Sequence, residues 1–144
     1  MLLGYRYRKQ GMLGYWVRQT DCGSCGRRAG RDRHPEALVF FHGISLGPIT
    51  YLQYLMRFRH QTVILVELHW VMFNPFCTTV PTREEFCDTV IELLDANGVD
   101  RVCLSSHSYG SFMVAWLLFC QKFSHRITRV VIVSGPALDL FISK

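Results

Sequence analysis

Ser106-His107-Ser108-Tyr109-Gly110 is the stretch whose residue types and spacing could do covalent chemistry. It follows the apolar run Val102-Cys103-Leu104 and precedes a long apolar segment that begins at Phe112. A strand, a very tight turn and a helix with serine at the apex make a nucleophile elbow, whose strained backbone lifts the hydroxyl clear of the sheet toward a substrate. The residues two before and two after that serine close on each other and must be small. Gly110 meets the demand fully, whereas Ser106 departs from the usual Gly-x-Ser-x-Gly pattern. A serine hydroxyl is nearly inert at neutral pH, so it needs a general base and stabilisation of the developing oxyanion. The helix after Ser108 directs its positive end at the reacting centre, and the Tyr109 N–H supplies one oxyanion donor. A second donor is expected from the loop after the first parallel strand, Phe40-Phe41-His42-Gly43-Ile44. Its His-Gly pair lets the chain turn sharply and aim an N–H, that of Ile44, at the same point.

The elements around these residues predict how they are held. Tyr5–Lys9 and Gly14–Arg18, separated by Gln10-Gly11, read as an antiparallel hairpin. A glycine-rich loop with Gly23, Gly26 and Gly30 follows, up to Pro35. Ala37–Phe41 and Thr62–Val66 are continuous apolar runs, as expected for strands buried on both faces. Between them, Pro48–Phe58 places Tyr51, Leu52, Tyr54, Leu55 and Phe58 at helical spacing. Thr82 and Glu85 predict a capping box for a helix striped by Phe86, Val90, Leu93 and Leu94 and ended by Asn97-Gly98. Val102–Leu104 is a third strand, Gly110–Phe123 reads as one helix buried all round, and Arg129–Val133 is a fourth strand stopped by Gly135-Pro136. The fold class is therefore α/β: an N-terminal antiparallel hairpin followed by a parallel βαβαβαβ sheet with right-handed crossovers.

At 144 residues and 49% hydrophobic content the chain can bury a real core. Its positive mean hydropathy excludes a disordered chain. The longest apolar stretch, Phe112–Cys120, is only nine residues, whereas a bilayer span needs about 20. No transmembrane segment and no signal peptide are expected, which favours a reducing, cytoplasmic setting. The net charge of +5 is carried by residues 1–34, which hold eight Lys/Arg against two acids. Arg27-Arg28-Ala29-Gly30-Arg31-Asp32-Arg33 reads as a solvated loop, so nucleic acid is not an expected partner. Cys22 and Cys25 form a lone C-x-x-C without the second pair that a zinc ribbon requires, so no metal and no cofactor are expected. Cys103 and Cys120 read as buried thiols acting as small hydrophobes. Gly43-Ile44-Ser45-Leu46-Gly47 is neither G-x-G-x-x-G nor a P-loop, which argues against a nucleotide-binding domain.

These motifs carry a resemblance. Phe40-Phe41-His42-Gly43-Ile44-Ser45-Leu46-Gly47-Pro48-Ile49-Thr50-Tyr51 resembles the F-x-H-G-I-x-x-G-x-x-x-Y of fungal, algal and protist hydrolase-like proteins within the α/β-hydrolase superfamily (AB hydrolase-1-like). Leu65-Val66-Glu67-Leu68, Pro81-Thr82-Arg83-Glu84-Glu85-Phe86 and His107-Ser108-Tyr109-Gly110-Ser111 are similar to the same proteins. The resemblance spans about residues 14–134. It implies a sheet of about eight strands, of which this chain supplies the first six. It also implies Ser108 as nucleophile and an oxyanion loop at Ile44.

In that superfamily the triad runs Ser…Asp/Glu…His, with the acid and the histidine beyond the elbow. After Ser108 the only histidine is His125, placed at the far end of the elbow helix, roughly 20 Å away. His107 is expected to point away from the attacked face, and His42 belongs to the oxyanion loop. Asp139 follows the last strand, where some families carry the acid. The relatives usually end that strand in Asp-Pro, and here Ser134-Gly135-Pro136 stands instead. The expectation is a single partial domain over 1–144, with a basic hairpin and loop over 1–36 and a parallel α/β core over 37–136. Its expected substrate is a small ester or lipid, with weak or no activity from the chain alone for want of a base. The alternative is a non-catalytic binding or scaffold protein on the same fold. Missing helices would bare one sheet face, which favours self-association or capture of a partner.

Overall fold

The computed structural model describes residues 4–19, 36–58, 61–73, 76–77 and 79–135. The hairpin strands are β1 (Arg6–Gln10) and β2 (Leu13–Arg18), antiparallel with Tyr7 opposite Trp16. They are followed by β3 (Ala37–Phe41), β4 (Val63–Glu67), β5 (Val102–His107) and β6 (Ile127–Val133). The sheet order is β1-β2-β4-β3-β5-β6. β2 joins β4 antiparallel, and β4, β3, β5 and β6 are mutually parallel. The expected hairpin and the four parallel strands are thus present. The Arg-rich loop, Cys22, Cys25, Pro136 and Asp139 lie outside the described residues.

β3 is buried at all five positions, because its side chains alternate between two apolar layers. On one face Val39 and Phe41 join Ile64, Val66 and Leu104 beneath helix α2 (Arg83–Asp95) and helix α3 (Gly110–Leu118). Phe86 of α2 is completely buried there, ringed by Phe41, Trp70 and Trp116 at centroid distances of 5.8, 6.3 and 5.8 Å. On the other face Leu38, Phe40 and Leu65 pack against Leu52, Leu55 and Tyr51. That cover is thin. Pro48–Tyr51 forms a 3-10 turn and only Leu52–Leu55 is α-helical (α1), so the helix expected over Pro48–Phe58 is shorter than its apolar spacing suggests. Toward β6 the same face stays open, with Val131 and Val133 nearly half exposed.

The capping box of α2 forms as expected: Glu85 N–H donates to Thr82 Oγ1 and Thr82 N–H donates to Glu85 Oε2 (2.9 Å). Gly98 takes φ +64 just past the helix, and the Val99 N–H returns to the Leu94 carbonyl. The single helix expected over Gly110–Phe123 is instead two. Cys120 is extended (ψ 106) and starts a separate turn, α4 (Gln121–Ser124). The chain must reverse here, since β6 has to begin level with Val102 of β5. Nor is α3 buried all round: Met113, Val114 and Leu117 face the sheet, while Phe112, Trp116 and Leu118 are half-buried and Phe119 is exposed. An apolar helix at the margin of the layer keeps one flank at the surface. Among the described residues no helix is long and apolar enough to cross a membrane.

Candidate active site

Ser108 stands between the end of β5 and the first turn of α3 with φ +50, a left-handed conformation that costs an L-residue energy unless its surroundings impose it. Three constraints impose it. The Ser108 N–H donates to the Val133 carbonyl of β6 (3.0 Å). The Ser111 N–H donates back to the Ser108 carbonyl (3.0 Å), starting α3 at once. Gly110 lies so close to β3 that an added Cβ would come within 2.2 Å of the Phe41 carbonyl oxygen.

Ser106, paired in register with Phe41, is fully buried, and its hydroxyl has no hydrogen-bond partner among the described residues. The pocket therefore tolerates a serine where glycine is usual, at the cost of one unsatisfied hydroxyl. Gly43 is pressed against the same turn. A Cβ there would sit 2.9 Å from Ser108 Cβ and 3.1 Å from the His107 carbonyl oxygen. Two glycines in separate motifs thus make room for the serine.

The loop after β3 is braced from within. The Ser45 hydroxyl donates to the Gly43 carbonyl (3.2 Å) and accepts from the Gly47 N–H (3.1 Å), while Gly47 takes φ +95. Tyr51 ties this loop to the elbow. Its hydroxyl accepts from the Gly43 N–H (3.3 Å) and lies 2.9 Å from His107 Nδ1. The Tyr51 hydroxyl thus bridges the loop backbone and the His107 ring. Ile44 is largely exposed on this loop and Tyr109 is half-buried at the start of α3.

His42 is structural. It is completely buried, its Nε2 accepts the Leu68 N–H (2.9 Å), and its Nδ1 therefore donates to the Gly43 carbonyl (2.7 Å). Both ring nitrogens are engaged, so the ring is neutral and fixes the end of β3 to the chain leaving β4. Burial pushes the His42 pKa down from 6.5, against smaller opposing effects of the Gly43 carbonyl and Glu67. The unfolded chain then binds more protons than the native one as pH falls below 6.5, so stability is full above that value and declines toward the depressed native pKa. Urea denaturation midpoints should fall between about pH 7.5 and about pH 5.5, and His42→Asn should flatten that dependence. An unchanged slope in the variant would assign the loss to other groups.

The other described histidines stand apart from Ser108. His125 follows α4 at the opposite end of the strands, a strand length or roughly 17 Å away. His69 lies 3.7 Å from Glu67 Oε2, and Glu67 also accepts from Trp16 Nε1 (2.7 Å). This carboxylate–histidine pair sits at the end of β4, two strands or about 10 Å from β5. Neither the Tyr51 link nor the Glu67–His69 pair was marked by local sequence; only strand order brings those residues together. Among the described residues no group of His, Cys, Asp and Glu could hold a metal ion.

No protein-family model matches the chain, and no curated protein matches its sequence. Solved structures do match its shape. It is similar to an N-acyl homoserine lactone degrading enzyme, with a TM-score of 0.63 at 18% identity over 90% of this chain and 45% of that one. It is similar to carboxylesterase CesB (YbfK) from Bacillus subtilis, with a TM-score of 0.62 at 14% identity over 91% of this chain and 42% of that one. It is also similar to an alpha/beta hydrolase enzyme from a Medee basin deep-sea metagenome library, with a TM-score of 0.58 at 14% identity over 88% of this chain and 43% of that one. The chain spans less than half the length of each of these proteins. At such identities the likeness concerns architecture, and on that ground this chain has the α/β-hydrolase fold.

Proposed function

We propose that the chain is the N-terminal portion of a serine hydrolase acting on a small ester or lipid, with Ser108 as nucleophile. The observation that carries this reading is the left-handed Ser108 (φ +50) packed against Gly43, between a strand and a helix. In this reading Ser108 Oγ attacks the substrate carbonyl and the N–H groups of Tyr109 and Ile44 receive the resulting oxyanion. Collapse expels the alcohol, and water then releases the acyl group. Ser106, Gly110 and Gly43 supply space, His42 and Tyr51 brace the loop, and His107 is held by Tyr51. The exposed Ile44, Leu46 and Ile49 give the loop an apolar rim suited to an acyl chain. His42 has both ring nitrogens engaged, His107 is tied to Tyr51, and His69 and His125 stand apart, so in this reading the base and its acid would come from beyond the described residues. The sheet face left open beside β6 is where further chain would pack.

The test uses a fluorophosphonate probe, whose reactivity exceeds that of an ester. Purified protein should label, and Ser108→Ala should reduce labelling by at least about 10-fold, to the level of heat-denatured protein. Equal labelling of the variant would remove Ser108 as nucleophile. Absence of labelling in the native protein would favour the second reading, a non-catalytic binding or scaffold protein, which the serine at Ser106, where glycine is usual, supports.

A further inference from the structure

Apart from the serine turn, α2 and the break between α3 and α4 share a cleft lined by Arg83, Cys87, Asp88, Phe119, Cys120 and Lys122. Three polar links hold its two walls in register. Arg83 donates to the Phe119 carbonyl (2.8 Å), the Cys87 thiol donates to the Trp116 carbonyl (3.7 Å), and Lys122 pairs with Asp88 (3.2 Å). These links bring residues 83, 87 and 88 of one wall against 116, 119 and 122 of the other, with Cys120 among the latter. Both thiols are free, Cys87 buried and Cys120 half-buried. Burial, and next the adjoining Cys120 thiol, push the Cys87 thiol up to about 12.

We propose that Cys87 and Cys120 are a redox-linkable pair that forms an intramolecular disulfide by exchange with a small-molecule disulfide. Cys120 is the more accessible thiol and reacts first: its thiolate attacks the small disulfide, forming a mixed disulfide and releasing one thiolate. The Cys87 thiolate then attacks Cys120 Sγ, closing the protein disulfide and releasing the second thiolate. One small disulfide and two protein thiols become one protein disulfide and two small thiols, the two protons of the protein thiols being taken up by the released small thiolates. The link would tie α2 to the C-terminal end of α3, the helix that begins at the Ser108 turn. The extended backbone of Cys120 is what makes this geometry available, because an unbroken helix would have carried residue 120 onward along its own axis.

The pair can be tested by equilibrating the purified protein with oxidised glutathione and mapping tryptic peptides without reduction. A link between peptides 84–101 and 102–122 in the monomer is expected, kept in Cys103→Ala and lost in Cys120→Ser. Cys103 lies on β5 in the opposite apolar layer, so its removal should leave the link intact. Closure from the isolated mixed disulfide should quicken as pH rises between about pH 7 and 9, since the Cys87 thiolate is the attacking species and burial disfavours it. Glutathione held on Cys120 with no closure, or a link that disappears in Cys103→Ala, would overturn the proposal.

Discussion

Gly110→Ala is expected to destabilise the protein by about 3 kcal/mol or more and to remove probe reactivity at Ser108. The added methyl would meet the Phe41 carbonyl oxygen at 2.2 Å, its carbon at 2.7 Å and the His42 carbonyl oxygen at 3.0 Å. All three are backbone atoms, so no side-chain rotation relieves the clash. α3 would have to withdraw from the end of β3, and the turn that strains Ser108 would open. Gly98→Ala is the internal comparison. That site has φ +64 but nothing within 4 Å, so only conformational strain of about 1 kcal/mol applies. Urea denaturation of both variants separates the two effects, with the probe reporting on the elbow. A Gly110→Ala midpoint equal to that of Gly98→Ala would mean that α3 does not start this close to β3.

Phe86→Ala should cost about 3–5 kcal/mol, the range for emptying a fully buried aromatic site. Phe86 is the residue through which α2 grips the sheet, and its neighbours come from three other places: β3 (Phe41), the turn after β4 (Trp70) and α3 (Trp116). Removing the ring leaves a cavity behind the strand end that also supports Ser106. Phe86→Leu should recover more than half of the loss, because much of the cost is volume. Denaturant midpoints measure the stability, and near-UV circular dichroism should show the tryptophan signals weaken together. A loss below about 1 kcal/mol would show that the site collapses around the missing ring.

The strands were legible because their residues declare themselves locally. Ala37–Phe41 is apolar at every position, and such a run has few homes other than a strand between two layers. The α2 capping box was equally plain, since Thr82 and Glu85 bond each other within one turn. The helix expected over Gly110–Phe123 is broken at Cys120 for a related reason. Its uninterrupted apolar composition says that it prefers a dry environment, but it does not say where the chain must turn back to start β6. The spacing of Tyr51, Leu52 and Leu55 likewise marks which side is buried but not how many residues take the α conformation.

The sequence by itself determined the strand–turn–helix around Ser108, the small Gly110 that permits it and the sharp His-Gly turn after β3, because each depends on neighbours within a few residues. Tertiary structure alone decided what surrounds them. It placed Gly43 against Ser108, committed both nitrogens of His42 to the backbone, and linked Tyr51 to His107. It also put Glu67 and His69 two strands away and Cys120 beside Cys87. Those relations join residues tens of positions apart, and they follow from strand order and from where helices end, which no local pattern encodes.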